Sequence, residues 1–246
     1  MPLIDLANPT RFLTFVERLL PWLIGATALA FAFALNQVYI APDDYQQGAT
    51  VKIMFVHVPA AWLSMFGWTL MTGAALGTLV WRHPLADVAG KSIAPIGAAF
   101  TLICLITGSL WGRPMWGAYW AWDARLTSVL ILFLMYLGVI ALWRTVDDPS
   151  RGARAAAILT IVGAINLPII HFSVDWWNTL HQPAAVLRLG GPTIHPSLLT
   201  PLMLMALAAM LLFFTLILAA MRNEILRRRV RMMHLMLASA APGSQP

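Results

Sequence analysis

The chain has 246 residues, of which 60% are apolar and only 11% charged, with a mean hydropathy of +0.75; this lies outside the range of soluble globular domains and marks a polytopic membrane protein. The formal charge of +6 does not indicate a nucleic-acid partner, because the basic residues sit in short runs beside apolar spans, where the positive-inside rule accounts for them. The one cysteine, Cys104, lies in an apolar run, which excludes disulfides, Cys-x-x-Cys redox chemistry and thiolate metal clusters within this chain and leaves a small buried hydrophobe.

A membrane-crossing helix needs about 20 mostly apolar residues. Six stretches qualify, at about 19–40, 58–81, 93–111, 126–143, 155–172 and 198–221, so the fold class is an all-α polytopic membrane protein of six transmembrane helices in one domain, 1–237. The apolar core of the first, Leu19 to Leu35, is longer than the ~7–15 residues of a signal peptide and no small-residue cleavage site follows, so it is expected to stay as an anchor. Beyond the sixth, Arg222 to Leu237 either continues that helix or lies along an anionic membrane surface, and residues 238–246 form a tail expected to be disordered.

Lysine and arginine set the orientation. With both termini cytoplasmic, the inner segments hold twelve of the basic residues and the outer ones four, Lys52, Arg113, Arg125 and Arg188. Three outer, periplasmic loops result, at about 41–57, 111–125 and 173–197. The third carries Pro183, Gly190, Gly191, Pro192 and Pro196 and is expected to be irregular and to fold over the others.

The second loop concentrates the chemistry. Trp111, Trp116, Trp120 and Trp122, four of the chain's eleven tryptophans, fall within twelve residues, with Tyr119 among them. One or two such rings beside a span would be an aromatic belt; five, interleaved with Gly, Arg and Asp, exceed what anchoring needs. A short amphipathic helix over 115–124 would put Trp116, Tyr119, Trp120 and Asp123 on one face, with Trp111 and Trp122 on another flank. Flat rings beside Arg113 and Arg125 suit a large planar anion: rings for stacking, guanidinium groups for carboxylates.

Four of the six histidines, His57, His171, His181 and His195, fall at or near the outer face. His57 lies at the mouth of the second span, where Pro59 suits a first helical turn. His181 follows the fifth span in Trp-Trp-Asn-Thr-Leu-His-Gln-Pro. Each precedes a proline by two residues, which stiffens the backbone that aims the imidazole, and neutral imidazole is the commonest axial ligand of haem iron. His171 is either a functional group within a span or a hydrogen-bonding patch for the gap Pro168 leaves in the helix ladder. His195 stands in reserve as a ligand or simply precedes the sixth helix. Asp123 either receives a ring N–H from a ligating histidine or caps the helix that follows. The chain contains no phosphate loop, no Gly-x-Ser-x-Gly and no His-Glu-x-x-His, so ATP hydrolysis by a P-loop and two common hydrolase chemistries are excluded.

Three segments, His-Val-Pro-Ala-Ala-Trp at 57–62, the Trp-rich stretch ending Trp-Ala-Trp-Asp at 120–123, and Asn-Leu-Pro-Ile-Ile-His-Phe-Ser-Val-Asp-Trp-Trp-Asn-Thr-Leu-His at 166–181, resemble the Trp-rich haem-handling family of cytochrome c biogenesis, in its short six-span branch of cytochrome c maturation protein C. The resemblance covers nearly the whole chain. It implies a haem-binding assembly factor of the bacterial inner membrane rather than an enzyme, holding haem b on the periplasmic face with His57 and His181 as axial iron ligands. Trp111, Trp116, Tyr119, Trp120, Trp122, Asp123, Arg113 and Arg125 would complete the site. The partners it implies are a periplasmic haem chaperone, the ATPase and permease subunits of an ABC-type transporter, and a very small single-span subunit. Three other readings are a haem-conducting permease subunit, disfavoured because the spans offer few polar groups beyond Asn36, Asn166 and His171, a membrane haem lyase, and a membrane electron-transfer cytochrome, which should cycle its redox state reversibly with a quinone.

Overall fold

A computed structural model describes residues 7–240. It is all-helical, with no strand among the described residues, and six of its stretches are long and apolar enough to cross a membrane. Helix α1, Pro9–Ile40, opens ten residues before the sequence-based estimate because Asn8 caps it, its side chain accepting from the N–H of Thr10 at 2.8 Å, and Pro9 occupies the first turn. A 3₁₀ turn, Ala49–Ile53, leads into α2, Met54–Leu79, so Pro59 stands in the second helical turn rather than the first. Helix α3 covers Ala86–Trp116 and α4 covers Ala124–Thr145. The fifth crossing is made by two helices, α5, Pro149–Gly163, and α6, Asn166–Trp176.

Helix α7 runs from Pro196 to Ala240. At 1.5 Å per residue its 45 residues span about 67 Å, roughly twice the ~30 Å hydrocarbon layer. The basic segment after residue 221 therefore continues the sixth crossing rather than folding onto a surface. Residues 238–240 of the expected tail belong to this helix, and 241–246 lie outside the described residues.

Between apolar helices in lipid, close backbone approach and hydrogen bonds do the work that hydrophobic burial does in water. Tyr136 of α4 is fully buried and donates its hydroxyl to the Ser64 carbonyl of α2 at 2.7 Å. It lies against Gly97 of α3 so closely that a Cβ there would meet the ring at 2.4 Å. Trp68 of α2 donates to the Thr160 carbonyl of α5 at 3.0 Å and meets Tyr136 edge-on at 4.8 Å. At the arginine-rich end, Glu224 of α7 is buried and accepts from Lys91 of α3 at 2.8 Å and Arg228 at 3.0 Å, while Arg228 also pairs with Asp87 at 2.7 Å. Helix α1 packs along α7.

The break between α5 and α6 shapes the opposite end. Its C-cap, Ala164, donates back to Thr160 at 3.1 Å, and α6 then restarts with Pro168 in its first turn, where a missing N–H costs nothing. Three bonds hold α6 onto α4. Asn166 donates to the Ser128 carbonyl at 2.8 Å, and Arg125 donates to Ser173 Oγ at 2.7 Å and to the His171 carbonyl at 3.2 Å. Neither ring nitrogen of His171 has a hydrogen-bond partner among the described residues, so it does not patch the ladder at Pro168; the turn at 164–165 does.

Candidate functional site

The three loops at the end opposite the arginine cluster surround a cavity of about 790 Å³, within the ~300–1,000 Å³ usual for cofactor and ligand sites. Its walls come from α2, α3, α4 and α6, and the segment after α6 crosses its top.

His57 is buried on α2. Its Nδ1 lies 3.1 Å from the Cys104 carbonyl and 3.1 Å from Thr107 Oγ1, both on α3. A carbonyl can only accept, so Nδ1 carries the proton and Nε2 keeps its lone pair. Room for the ring comes from Gly108, where a Cβ would stand 2.9 Å from His57 Cε1. His181 repeats the logic from the loop side, donating Nδ1–H to the Gln182 carbonyl at 2.8 Å, which again leaves Nε2 free. Burial holds the His181 pKa below the ordinary imidazole value; Arg125 lowers it further, while the Gln182 carbonyl and Asp123 pull the other way. At neutral pH it is the uncharged imidazole that ligates metals.

The two rings stand with centroids 6.5 Å apart and planes tilted by 35°. Two metal–imidazole bonds of about 2 Å, plus about 1.1 Å from each nitrogen to its ring centre, give about 6.2 Å for one metal between two imidazoles. Among the described residues no group of three or more His, Cys, Asp or Glu is placed to hold a bare ion. Two imidazoles alone would suit a metal that brings its remaining donors with it, as haem iron does.

Tryptophans from α3 flank this pair. Trp111 meets His57 edge-on at 5.6 Å and donates to Gln47 Oε1 at 2.8 Å; Trp116 lies 6.5 Å from His181. Trp120 lines the cavity, and its indole N–H is buried with no partner among the described residues, an unmet donor that an acceptor group in the cavity would satisfy.

The Trp-rich segment does not form the short amphipathic helix expected over 115–124. Helix α3 runs on to Trp116 and stops at Gly117, which takes a left-handed φ of 77° and donates to the Arg113 carbonyl. Residues 118–123 are irregular, so Trp116, Tyr119, Trp120 and Asp123 share no helical face. Tyr119 and Trp122 are 58% and 78% exposed and lie off the cavity wall, as does Arg113, which sits over the Tyr119 ring and donates to the Gly117 carbonyl. Arg125 and Arg188 line the cavity, whereas Lys52 faces Asp43 at 3.8 Å.

Asp123 caps α4, Oδ1 accepting from Leu126 N–H at 2.8 Å, while Oδ2 accepts from Leu180 N–H at 3.2 Å. It therefore fastens the loop one residue before His181 rather than the imidazole itself. His171 lines the cavity lower on α6; His195 precedes α7, bonded to Ser197 Oγ at 2.8 Å, and is not part of the cavity lining, although its neighbour Ile194 is. The sequence reading missed Thr107, Gly108, Gln47 and Ser173, and the only signal for any of them was a glycine in mid-span.

The sequence profile of a family described as Heme exporter protein C matches residues 2–236. The chain belongs to the Heme exporter protein C family. It is 73% identical to the Heme exporter protein C of Bradyrhizobium diazoefficiens over 97% of its length and 91% of the relative's. Identity is 46% to that of Escherichia coli K12, over 90% of each chain, and 42% to that of Paracoccus denitrificans, over 94% of this chain and 96% of the relative. The matches span every helix that lines the cavity. The relatives are named for export of heme, and none of these names describes a catalysed reaction.

Proposed function

We propose that this member of the Heme exporter protein C family holds haem b on the periplasmic face of the bacterial inner membrane and delivers it to a periplasmic haem chaperone during cytochrome c maturation. The observation that carries this reading is the His57–His181 pair: two imidazoles from different elements, each with Nδ1 committed to a carbonyl, with ring centres 6.5 Å apart at a cavity of about 790 Å³. The orphaned N–H of Trp120 and the cationic Arg125 and Arg188 on the wall fit a planar ligand with carboxylate arms. The asymmetric distribution of lysine and arginine supports an outward-facing site.

Trp111 and Trp116 pack beside the two axial positions, and Asp123 holds the His181 loop in place. His57 is fixed on a packed helix while His181 sits on irregular backbone, so His181 is the ligand that lets go when the chaperone docks. The exposed Trp122 and Tyr119, with Arg113 against the latter, form the outer rim on which the chaperone rests. The ATPase and permease subunits of an ABC-type transporter and a small single-span subunit complete the assembly. The test is transfer: haem-loaded protein is mixed with purified chaperone and covalent haem on the chaperone is measured. The parent transfers; His57→Ala and His181→Ala, with helical content unchanged, do so at least about tenfold less, as loss of a ligand of a metal centre does. Transfer at the parent level by both variants overturns the assignment.

A further inference from the structure

Going round the cavity, α2 packs on α3, α3 on α4, and α4 on α6, but α6 makes its extensive helix contact with α4 alone. The gap in this ring of extensive contacts falls between α6 and α2. Lower in the membrane that gap is closed by α5, which packs against both α2 and α4; its last residue, Gly163, is so tight against Trp68 and Met135 that a Cβ would lie 2.5 Å and 2.9 Å from them. Where α5 ends and α6 is drawn onto α4 by Asn166 and Arg125, a seam without extensive contact is left between α6 and α2. Ala61, Trp62 and Met65 of α2 form one side of it and Ile170, His171 and Val174 of α6 the other, all six lining the cavity.

We propose that this seam opens as a slit between α2 and α6 through which the cavity is loaded sideways, from within the bilayer, and that His171 on its rim is the first group of the chain to ligate the iron of the arriving haem. The inference rests on the haem-holding reading above. His171 lies five residues before the end of α6, about 7.5 Å below it along the axis. It is exposed, its ring stands edge-on to Phe172 at 4.7 Å, and neither nitrogen has a polar partner among the described residues. Phe172 and Trp176, stacked at 5.3 Å and both exposed, continue the apolar outer surface of α6. An imidazole left without a partner at membrane depth is costly to keep and marks a functional position.

Haem in water is an aggregating amphiphile and partitions its flat apolar ring into lipid. A slit with apolar sides admits such a ring edge-first, with its carboxylates trailing toward the polar loop end, where Arg125 and Arg188 stand. The step at His171 is ligand exchange only: the neutral nitrogen lends its lone pair to iron and recovers it when His57 and His181 take the axial positions. No electron or proton is consumed.

The test uses the full chain in lipid nanodiscs whose bilayer is doped with haem. Val174→Cys is folded first and then capped with a pyrene maleimide, so folding is not at issue; Cys104 is buried and does not react. Capping is expected to slow growth of the Soret band at least about tenfold, as obstruction of a binding route does. His171→Ala is expected to slow loading several-fold while the loaded spectrum stays that of the parent. Loading of the capped protein at the parent rate, or a cap that lowers the final height and not the rate, overturns the slit, and His171→Ala loading at the parent rate overturns the role of the histidine. A parent that takes up no haem refutes the haem-holding reading, and the slit falls with it. Equal slowing by the cap when haem is supplied from water on albumin to haem-free nanodiscs, within the mixing time, places the route through the loops and also overturns the proposal.

Discussion

Asp123 does two jobs with two oxygens, and one substitution separates them. Oδ1 caps α4 through Leu126 N–H; Oδ2 holds the Leu180 N–H beside His181. Asparagine is as good a cap as aspartate, so Asp123→Asn retains the first bond, but its amide presents a donor, or at best an uncharged oxygen, to the Leu180 N–H. Alanine removes both. A helix cap contributes about 1 kcal/mol. A hydrogen bond to a charged acceptor contributes about 1.5–3 kcal/mol, and solvent contact at this site reduces that to about 1–2 kcal/mol. If the Leu180 bond serves to place His181, its loss appears as about 5–30-fold weaker haem binding. Asp123→Asn is therefore predicted to melt near the parent temperature yet bind haem about 5–30-fold more weakly, and Asp123→Ala to show that defect plus a lower melting temperature. Haem titration followed at the Soret band, beside thermal melting by circular dichroism, reads both. Parent-like haem affinity in Asp123→Asn would refute the reasoning.

Gly108→Ala replaces a helix-interior glycine and should add up to about 1 kcal/mol of stability by propensity, yet its methyl group displaces the His57 ring, so haem titration should show weaker binding in a protein that melts no lower. Trp120→Phe keeps the ring and deletes the unpaired N–H; if haem satisfies that donor, the variant loses affinity, whereas a gain in melting temperature with unchanged affinity means the donor serves no ligand. Glu224→Ala leaves Lys91, Arg227 and Arg228 without their shared carboxylate and, with those partners part-exposed, should cost about 1–3 kcal/mol in melting experiments while the haem spectrum stays unchanged. The depressed His181 pKa sets the pH dependence. The folded state holds fewer protons on this residue than the unfolded chain, so stability declines as pH falls below about 6.5, while axial ligation survives past that pH and fails only lower. An acid titration in which the Soret band breaks at the ordinary imidazole value contradicts this.

The six crossings were legible because a run of about 20 apolar residues in a chain this hydrophobic has no other stable use. The ends were less so: α1 begins at a cap and a proline that contribute nothing to hydropathy, and α7 runs about a further 19 residues on charged and methionine-rich sequence that helix propensity favours without burial. The division of the fifth crossing at 164–165 has only Pro168 as its signal in the sequence, and the turn there, not His171, accommodates that proline. At the site, His57, His181 and the cavity-lining tryptophans stood out by residue type. Their arrangement did not, because it depends on contacts far apart in sequence: Cys104 and Thr107 orient His57, Gln47 holds Trp111, and Leu180 reaches Asp123 across 57 positions. Helical spacing misled at the Trp-rich segment because Gly117 in the left-handed region ends α3 before that spacing applies.

The optical spectrum of haem bound to the purified protein, beside His57→Ala and His181→Ala, tests the central claim most directly. Two imidazoles on one iron predict a six-coordinate low-spin spectrum in the parent and a shift to a five-coordinate form, with weaker retention, in each variant. A parent spectrum that neither substitution alters, or a parent that binds no haem when haem is supplied, would contradict it.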